Sequence, residues 1–560
     1  CEKVMNYIKP KLFSVMKDYT KEQFVKDVVA GIIVAIIALP LSIALALASG
    51  VTPEMGLYTA IVAGFIISFF GGSRVQIAGP TAAFATIVAG IVATEGIDGL
   101  IIATIMAGII LVLMGLFKFG SLIKFIPLTI TTGFTSGIAV TIFIGQIKDF
   151  LGLTFKQTKE PLIETMDKVK MIGSCINTVN VSALIIGLVA LLILIIWPKI
   201  NKIIPPSLIA IIITAAAVKL LSLDVNTIGS LYTISSKLPH FNMPAFSFEK
   251  IRLLLPNAFT IAILAAIESL LSCVVADGMI GSRHKSNAEL VAQGLGNIGS
   301  AFFGGIPATG AIARTAANVK NGGRTPIAGI VHSITLALIL VILMPYAALI
   351  PMPCIAAILF MVAYNMCEWR KFLNICKTAP KSDILVLILT FVLTVVFDLV
   401  VAIGVGIVLT CLLFMKRMSE VTDVHGWKYI DEDEEDTEDE DAIGLKVVPK
   451  GTHVFEINGP MFFGAADKFM EVVSETEGDV LIIRMRGVPA LDVTAYQTLL
   501  NILKTCKANG MTLVLSHINE QPKHVFEKAG FIEMVGEENI CPNIDAAIER
   551  ANEIHSKNGG

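Results

Sequence analysis

The chemistry in this chain starts at two places where a helix must begin inside an apolar stretch. Ala78-Gly79-Pro80-Thr81-Ala82 and Pro307-Ala308-Thr309-Gly310-Ala311 stand directly ahead of short runs, 12 residues from Thr81 to Val92 and 9 from Ala311 to Val319. At about 1.5 Å per residue neither run crosses a hydrocarbon core of roughly 30 Å, so both read as half-helices. Small residues let a ligand approach the backbone, and the unpaired N–H groups of a helix start carry the positive end of its dipole. Two such ends facing one cavity suit an anion, which Thr81, Ala82, Gly310, Ala311 and Ile312 would surround. The bland alternative is a pair of full-length helices kinked by Gly and Pro and tightly packed. Matching breaks in two halves favour a transporter with inverted repeats and a midplane site.

Four side chains could take part. Gln76, just before the first half-helix, could orient a ligand oxygen with its amide or simply cap loop backbone. Arg314, one turn into the second, would add positive potential beneath an anion; its alternative is to snorkel to the boundary with Lys320 and Arg324. Glu268 is a lone carboxylate in an apolar run from Phe259 to Ser272, costly there unless protonated, paired or beside water. It is therefore a candidate proton carrier for symport, or a structural group that holds helices together. Ser272, four residues on, shares its helix face.

The elements that position these residues follow from composition. The 560 residues are 54% hydrophobic and 16% charged, with mean hydropathy +0.76, against about 25% charged for a soluble domain. A disordered, collagen-like or nucleic-acid-coating protein is excluded. Fourteen apolar segments can be centred near Ile37, Ala63, Ile87, Leu111, Ala139, Leu191, Ile211, Leu264, Ala292, Ala316, Leu336, Ile358, Ile388 and Val405. With that count the N-terminal lysines, Lys118, Lys124, Lys199, Lys202, Arg283, Lys285, Arg370, Lys371, Lys416 and Arg417 all fall on one side, which puts both termini in the cytoplasm. The two long outer loops, near 148–180 and 219–255, are of mixed charge. Because further spans follow the first, it is read as a span and not as a removed signal.

The formal charge of −3 conceals a split: residues 1–419 hold 31 Lys and Arg against 19 Asp and Glu, and residues 420–560 hold 12 against 27. Of the eleven residues Asp431 to Asp441, ten are acidic, a solvated linker. Beyond it, strand-like runs at Val454 to Ile457, Val480 to Met485 and Met511 to Leu515 alternate with helix-like segments near Asp467 to Val473, Ala495 to Cys506 and Val525 to Lys528. The organisation is a cytoplasmic N-terminal segment (1–26), a transmembrane domain (27–418), an acidic linker (419–445), a small α/β domain (446–555) and a tail (556–560).

Nothing here reads as an enzyme. His284 and His332 form no nucleophile or metal constellation, no Walker-type loop offers ATP-driven pumping, and the nine cysteines lack metal spacing. Gly294-Leu-Gly296-Asn-Ile-Gly299 matches the dinucleotide pattern by letter, but it follows no strand and reads as small-residue helix packing. No cofactor or metal is expected.

On these residues the chain resembles the SulP family of anion permeases and exchangers with a C-terminal STAS domain. The matching stretches are GLYTA at 56–60 through Gly79 and Pro80, ADGM at 276–279 with Arg283 and His284, GGIPATGAIART at 304–315, and NGGRTP at 321–326. The resemblance implies a seven-plus-seven inverted repeat, a core and a gate domain, an anion between the third and tenth helices, a homodimer, and a cytoplasmic STAS domain that meets protein partners. Known family substrates include sulfate, bicarbonate, chloride and dicarboxylates. Sodium-coupled bicarbonate members are similar at Glu268 and Ser272 but place a hydroxyl where this chain has Ile312, which disfavours sodium here. Animal members have Gln where this chain has Leu41, and commonly Ser near Ala313, so this pocket should be more apolar and depend more on backbone donors. In the STAS-like segment Asp492 should cap a helix, and Thr494 stands where anti-sigma antagonist relatives carry a phosphorylatable residue; a simple N-cap pair is the alternative.

The expectation is a multi-pass cell-membrane carrier of a small inorganic anion or dicarboxylate, driven by protons through Glu268. Electroneutral exchange is the nearest variant. Nucleobase–proton symport on a similar architecture is disfavoured by the STAS-like domain, and a membrane-tethered signalling scaffold by the number of spans.

Overall fold

All fourteen apolar centres fall inside helices. The computed structural model describes residues 9–16, 19–121, 127–155, 165–201, 204–244, 247–397, 399–421, 423–427, 448–462 and 478–558. The chain divides by contacts into two units, Cys1–Ile407 and Val408–Gly560. The acidic run 431–441 and the helix expected near 467–473 lie outside the described residues.

The first half of the membrane unit contains α1 (Lys21–Ala48), α2 (Pro53–Phe70), β1 (Ala78–Gly79), α3 (Ala85–Leu116), α4 (Leu128–Leu151), α5 (Val181–Ile200) and α6 (Pro206–Leu220). The second half repeats the order with α7 (Phe248–Ile280), α8 (Ser286–Phe302), β2 (Thr309–Gly310), α9 (Ile312–Lys320), α10 (Ile327–Ala347), α11 (Met352–Cys367), α12 (Lys381–Val396) and α13 (Leu399–Val421). Among the described residues, eight helices are long and apolar enough to cross a bilayer alone. Local chemistry sets the ends: Thr20 caps α1 by accepting from the Gln23 N–H at 3.2 Å, and Pro53 opens α2, where its missing N–H costs nothing. Inside α3, Gly96 has φ 71° and ψ −172°, a left-handed value open to glycine. That bend divides α3 into the third and fourth segments read from the sequence, and it carries the first half-helix a turn past the expected Val92.

The helices sort into two bundles. One joins α1, α2, α3, α7, α8, α9 and α10; the other joins α4, α5, α6, α11 and α12. This is the core and gate division the resemblance implied. Small residues let the backbones approach, as membrane packing requires. A β-carbon on Gly294 would stand 2.5 Å from the Gly108 carbonyl, and one on Gly133 2.8 Å from the Leu387 carbonyl. Gly296 and Gly299 pack in the same way against Ile67 and Ile66, so the dinucleotide-like pattern is indeed a helix-packing stripe.

In the second unit five strands run in the order β3 (Asp423–Trp427), β4 (Thr452–Asn458), β5 (Val480–Gly487), β6 (Thr512–Ser516) and β7 (Ile540–Cys541). The β3–β4 pair is antiparallel and the others are parallel. Alternation on β5 sends Leu481, Ile483 and Met485 to one core, beside α14 (Val493–Ala508) and α15 (Glu520–Lys528). Val480 and Ile482 face the other, beside α16 (Ile544–Asn558). Burial on both faces explains the unbroken apolar run; β3, β7 and α16 were not read from the sequence. Asp492 caps α14 by accepting from the Ala495 N–H at 2.8 Å, and Thr494 is exposed in the first turn.

Candidate anion site at the crossed half-helices

Each half-helix is approached by extended chain, and the two approaches pair. β1 and β2 are antiparallel, with Ala78 opposite Gly310 and Gly79 opposite Thr309, and the Ala311 N–H donates to the Ile77 carbonyl at 2.9 Å. A single turn of 3₁₀ helix, Ala82–Phe84, then opens α3, and Ile312 opens α9. Because the pairing is antiparallel, the two chains leave it at opposite ends and the half-helices run away from it in opposite directions. Neither N-cap residue, Thr81 or Ala311, has a side chain that caps its helix. Ile312 is 43% exposed at its helix start.

The Thr81 hydroxyl, which could have closed the first helix start, donates instead to Oε2 of Glu268 at 2.8 Å. Glu268 on α7 is half-buried and thereby tied to the opening of the first half-helix. Ser272, one turn along, donates to the Thr315 hydroxyl at 3.3 Å, and Thr315 in turn accepts from the Ile77 N–H at 3.1 Å. The acid and the hydroxyl singled out on α7 thus reach both half-helices.

The Gln76 amide lies beside Gly310, with both of its polar atoms engaged by protein groups. Its amide nitrogen donates to Oε1 of Glu289 at 3.0 Å, its oxygen accepts from the Cys273 thiol at 2.5 Å, and a β-carbon on Gly310 would overlap the amide. Arg314 is buried, its Nη2 donates to the Pro80 carbonyl, and its Nη1 has no hydrogen-bond partner among the described residues. A side chain on Gly79 would collide with that guanidinium. Snorkelling to the boundary is therefore ruled out for Arg314, whereas Lys320 and Arg324 are exposed.

Several polar residues were missed by sequence reasoning. Glu289 on α8 is fully buried and accepts from the Gly72 and Ser73 N–H groups at 2.9 and 3.1 Å and from Gln293 at 2.9 Å, besides Gln76. Asn297 clamps Ala308, donating to its carbonyl and accepting from its N–H, both at 2.9 Å. The Thr309 hydroxyl donates to the Ala265 carbonyl at 2.9 Å. The available signal was the repeat of Glu289, Gln293 and Asn297 at four-residue spacing, a polar stripe on one face of a membrane helix.

Uncapped helix starts at the two ends of a strand pair, in a helical bundle whose chain continues into an α/β domain, are the form an anion carrier would take. The family model described as Sulfate permease family matches residues 24–390, and that of the STAS domain matches residues 445–547. The chain is 40% identical over 535 residues to the Bacillus subtilis protein named "Putative sulfate transporter YvdB", covering 94% of this chain and 98% of the relative. It is 30% identical over 542 residues to the bicarbonate transporter BicA of a Synechocystis species, covering 94% of each. Its fold is that of SLC26A9, with TM-score 0.87 at 18% identity over 98% of this chain and 94% of the other. The chain belongs to the sulfate permease (SulP) family, as an anion transporter with a C-terminal STAS domain and not an enzyme.

Proposed function

We propose that this protein is a proton-coupled symporter of a small divalent or monovalent anion, in the sulfate, bicarbonate or dicarboxylate class. The observation that carries the reading is the pair of uncapped helix starts beside the antiparallel β1–β2 crossing. Each start offers roughly half a positive charge, so together they balance about one negative charge with backbone donors from Ala82, Ala83, Ile312 and Ala313. The more apolar pocket expected from Leu41, Ile312 and Ala313 leaves recognition to charge and size.

Coupling runs through Glu268. As a carboxylate it accepts from Thr81, whose hydroxyl stands at the first helix start; a negative charge there opposes the anion. Protonation removes that charge, so anion and proton bind together and cross by rocking or elevator movement of the core bundle against the gate bundle. Sodium is disfavoured by Ile312, which supplies no oxygen. Both termini face the cytoplasm in the inner or plasma membrane, the protein works as a homodimer, and the STAS domain meets cytoplasmic protein partners, with Thr494 as a phosphorylation point.

The test is uptake of sulfate and bicarbonate into proteoliposomes with an imposed inward proton gradient. Uptake should follow the gradient in the natural protein and lose that dependence in Glu268→Gln. Unchanged coupling in the variant would remove Glu268 from the mechanism, and uptake indifferent to the gradient in the natural protein would make exchange the working mode.

A further inference from the structure

Away from the crossed strands, a cavity of 570 Å³ opens beside the start of α1, with Lys11, Tyr19, Gln23, Arg74, Arg324 and Thr325 in its wall. Among the described residues that line it, three are cations and none is a carboxylate. Five stretches build it: the short helix Lys11–Val15, the first turn of α1 with the residues just before it, the 71–77 segment that leads into β1, the end of α7 at Ile280, and the 321–326 turn that follows α9.

The wall is held from behind. Asp27 on α1 is fully buried; its Oδ1 accepts from the Arg324 N–H at 2.8 Å and from Gln23 at 3.0 Å, and its Oδ2 from the Tyr19 hydroxyl at 2.9 Å and the Thr325 hydroxyl at 2.5 Å. Burial and the Asp27 carboxylate push the Tyr19 phenol up to about 12, which keeps it a neutral donor. The Lys11 N–H donates to the Gly71 carbonyl at 2.9 Å and pins the short helix to the segment ahead of β1. Arg324 gives Nη1 to the Val319 and Gly323 carbonyls, both at 2.8 Å. Arg74 is less well provided: its Nε is buried and has no hydrogen-bond partner among the described residues.

Among the described lining residues the charge is positive, three cations with the Asp27 carboxylate behind them, which suits the negative charge of a phosphate group. Guanidinium groups match phosphate oxygens through paired donors. The space exceeds a bare phosphate and admits one that carries an organic group. Apolar side chains are exposed beside it, Phe13 at 48%, Met16 at 44% and Phe24 at 51%, as suits a basic pocket that meets lipid headgroups.

We propose that this cavity is a second anion site, separate from the transport site, that takes a phosphate group, either free in solution or on an anionic lipid. Its occupant fastens the segment before β1 to the turn after α9, and so ties the approach of the first half-helix to the far end of the second.

The experiment uses the full chain in neutral detergent and follows its thermal midpoint. The probes are inorganic phosphate and short-chain phosphatidylglycerol, with phosphatidylcholine of the same chain length as the neutral control. The natural protein should be stabilised by at least one phosphate-bearing probe beyond the control; a response to inorganic phosphate assigns the source to solution, and one to phosphatidylglycerol alone assigns it to the bilayer. Arg74→Gln and Lys11→Gln should each weaken apparent affinity for that probe at least tenfold. Should Arg74→Gln fail to fold, Lys11→Gln decides, since the Lys11 side chain is partly exposed and its ammonium donates to the Arg283 carbonyl at 3.0 Å, a bond that Gln can also make. No stabilisation beyond the control, or an undiminished response in the variants, overturns the proposal.

Discussion

Placing a carboxylate at the second helix start should abolish anion binding without harming the fold. Ile312 is the first residue of α9, is 43% exposed, and follows an N-cap that supplies no capping group. An Asp at that position would meet the free N–H groups itself and should leave helix stability unchanged or raised by about 0.3–1 kcal/mol. For the anion, a fixed negative charge roughly 5 Å away at an effective dielectric near 20 costs about 3 kcal/mol. That is roughly a hundredfold in Kd. Ile312→Asn, with similar shape and no charge, should bind within a few-fold of the natural protein. The assay is sulfate and bicarbonate uptake as a function of concentration, with thermal midpoints on the same samples. If Ile312→Asp transports within threefold of Ile312→Asn at equal stability, the reasoning from helix-start charge is wrong.

Glu268→Gln keeps an acceptor for the Thr81 hydroxyl, so it should fold normally and flatten the rise in uptake that acidifying the outside produces in the natural protein; pH-dependent uptake rates check this. Gly310→Ala drives a β-carbon into the Gln76 amide and should cost about 1–3 kcal/mol, read as a lowered thermal midpoint and slower uptake. Glu289→Ala removes the acceptor for Gly72, Ser73, Gln76 and Gln293 at once and should cost at least about 3 kcal/mol, read in the same way. A chain ending at Arg417 should still transport in proteoliposomes, whereas loss of uptake in a stable truncated protein would bring back the scaffold alternative.

The half-helices were legible because proline, glycine and short apolar length are local properties, and hydrocarbon thickness is a fixed ruler. Their crossing was less so. The Ala78–Gly310 pairing joins residues far apart in the chain, and two-residue strands have no alternation to read. Glu268 was visible as a charge in an apolar run, but its bond to Thr81 depends on how α7 lies against α3. Gln76 and Arg314 show the limit most clearly. Residue type suggested ligand contact for both, yet Glu289 and Cys273 engage the Gln76 amide and the Pro80 carbonyl accepts from Arg314, partners that no local pattern announces. In the α/β unit the doubly buried β5 announced itself, whereas β7 is two residues long and owes its place to β6.

The central claim is that backbone amides at two helix starts hold the anion. A structure of the full protein with a heavy oxyanion such as selenate reads this directly. The account predicts density about 3 Å from N–H groups at both Ala82–Ala83 and Ile312–Ala313, with Glu268 behind it. An anion seated on side chains alone, or touching only one of the two helix starts, would contradict it.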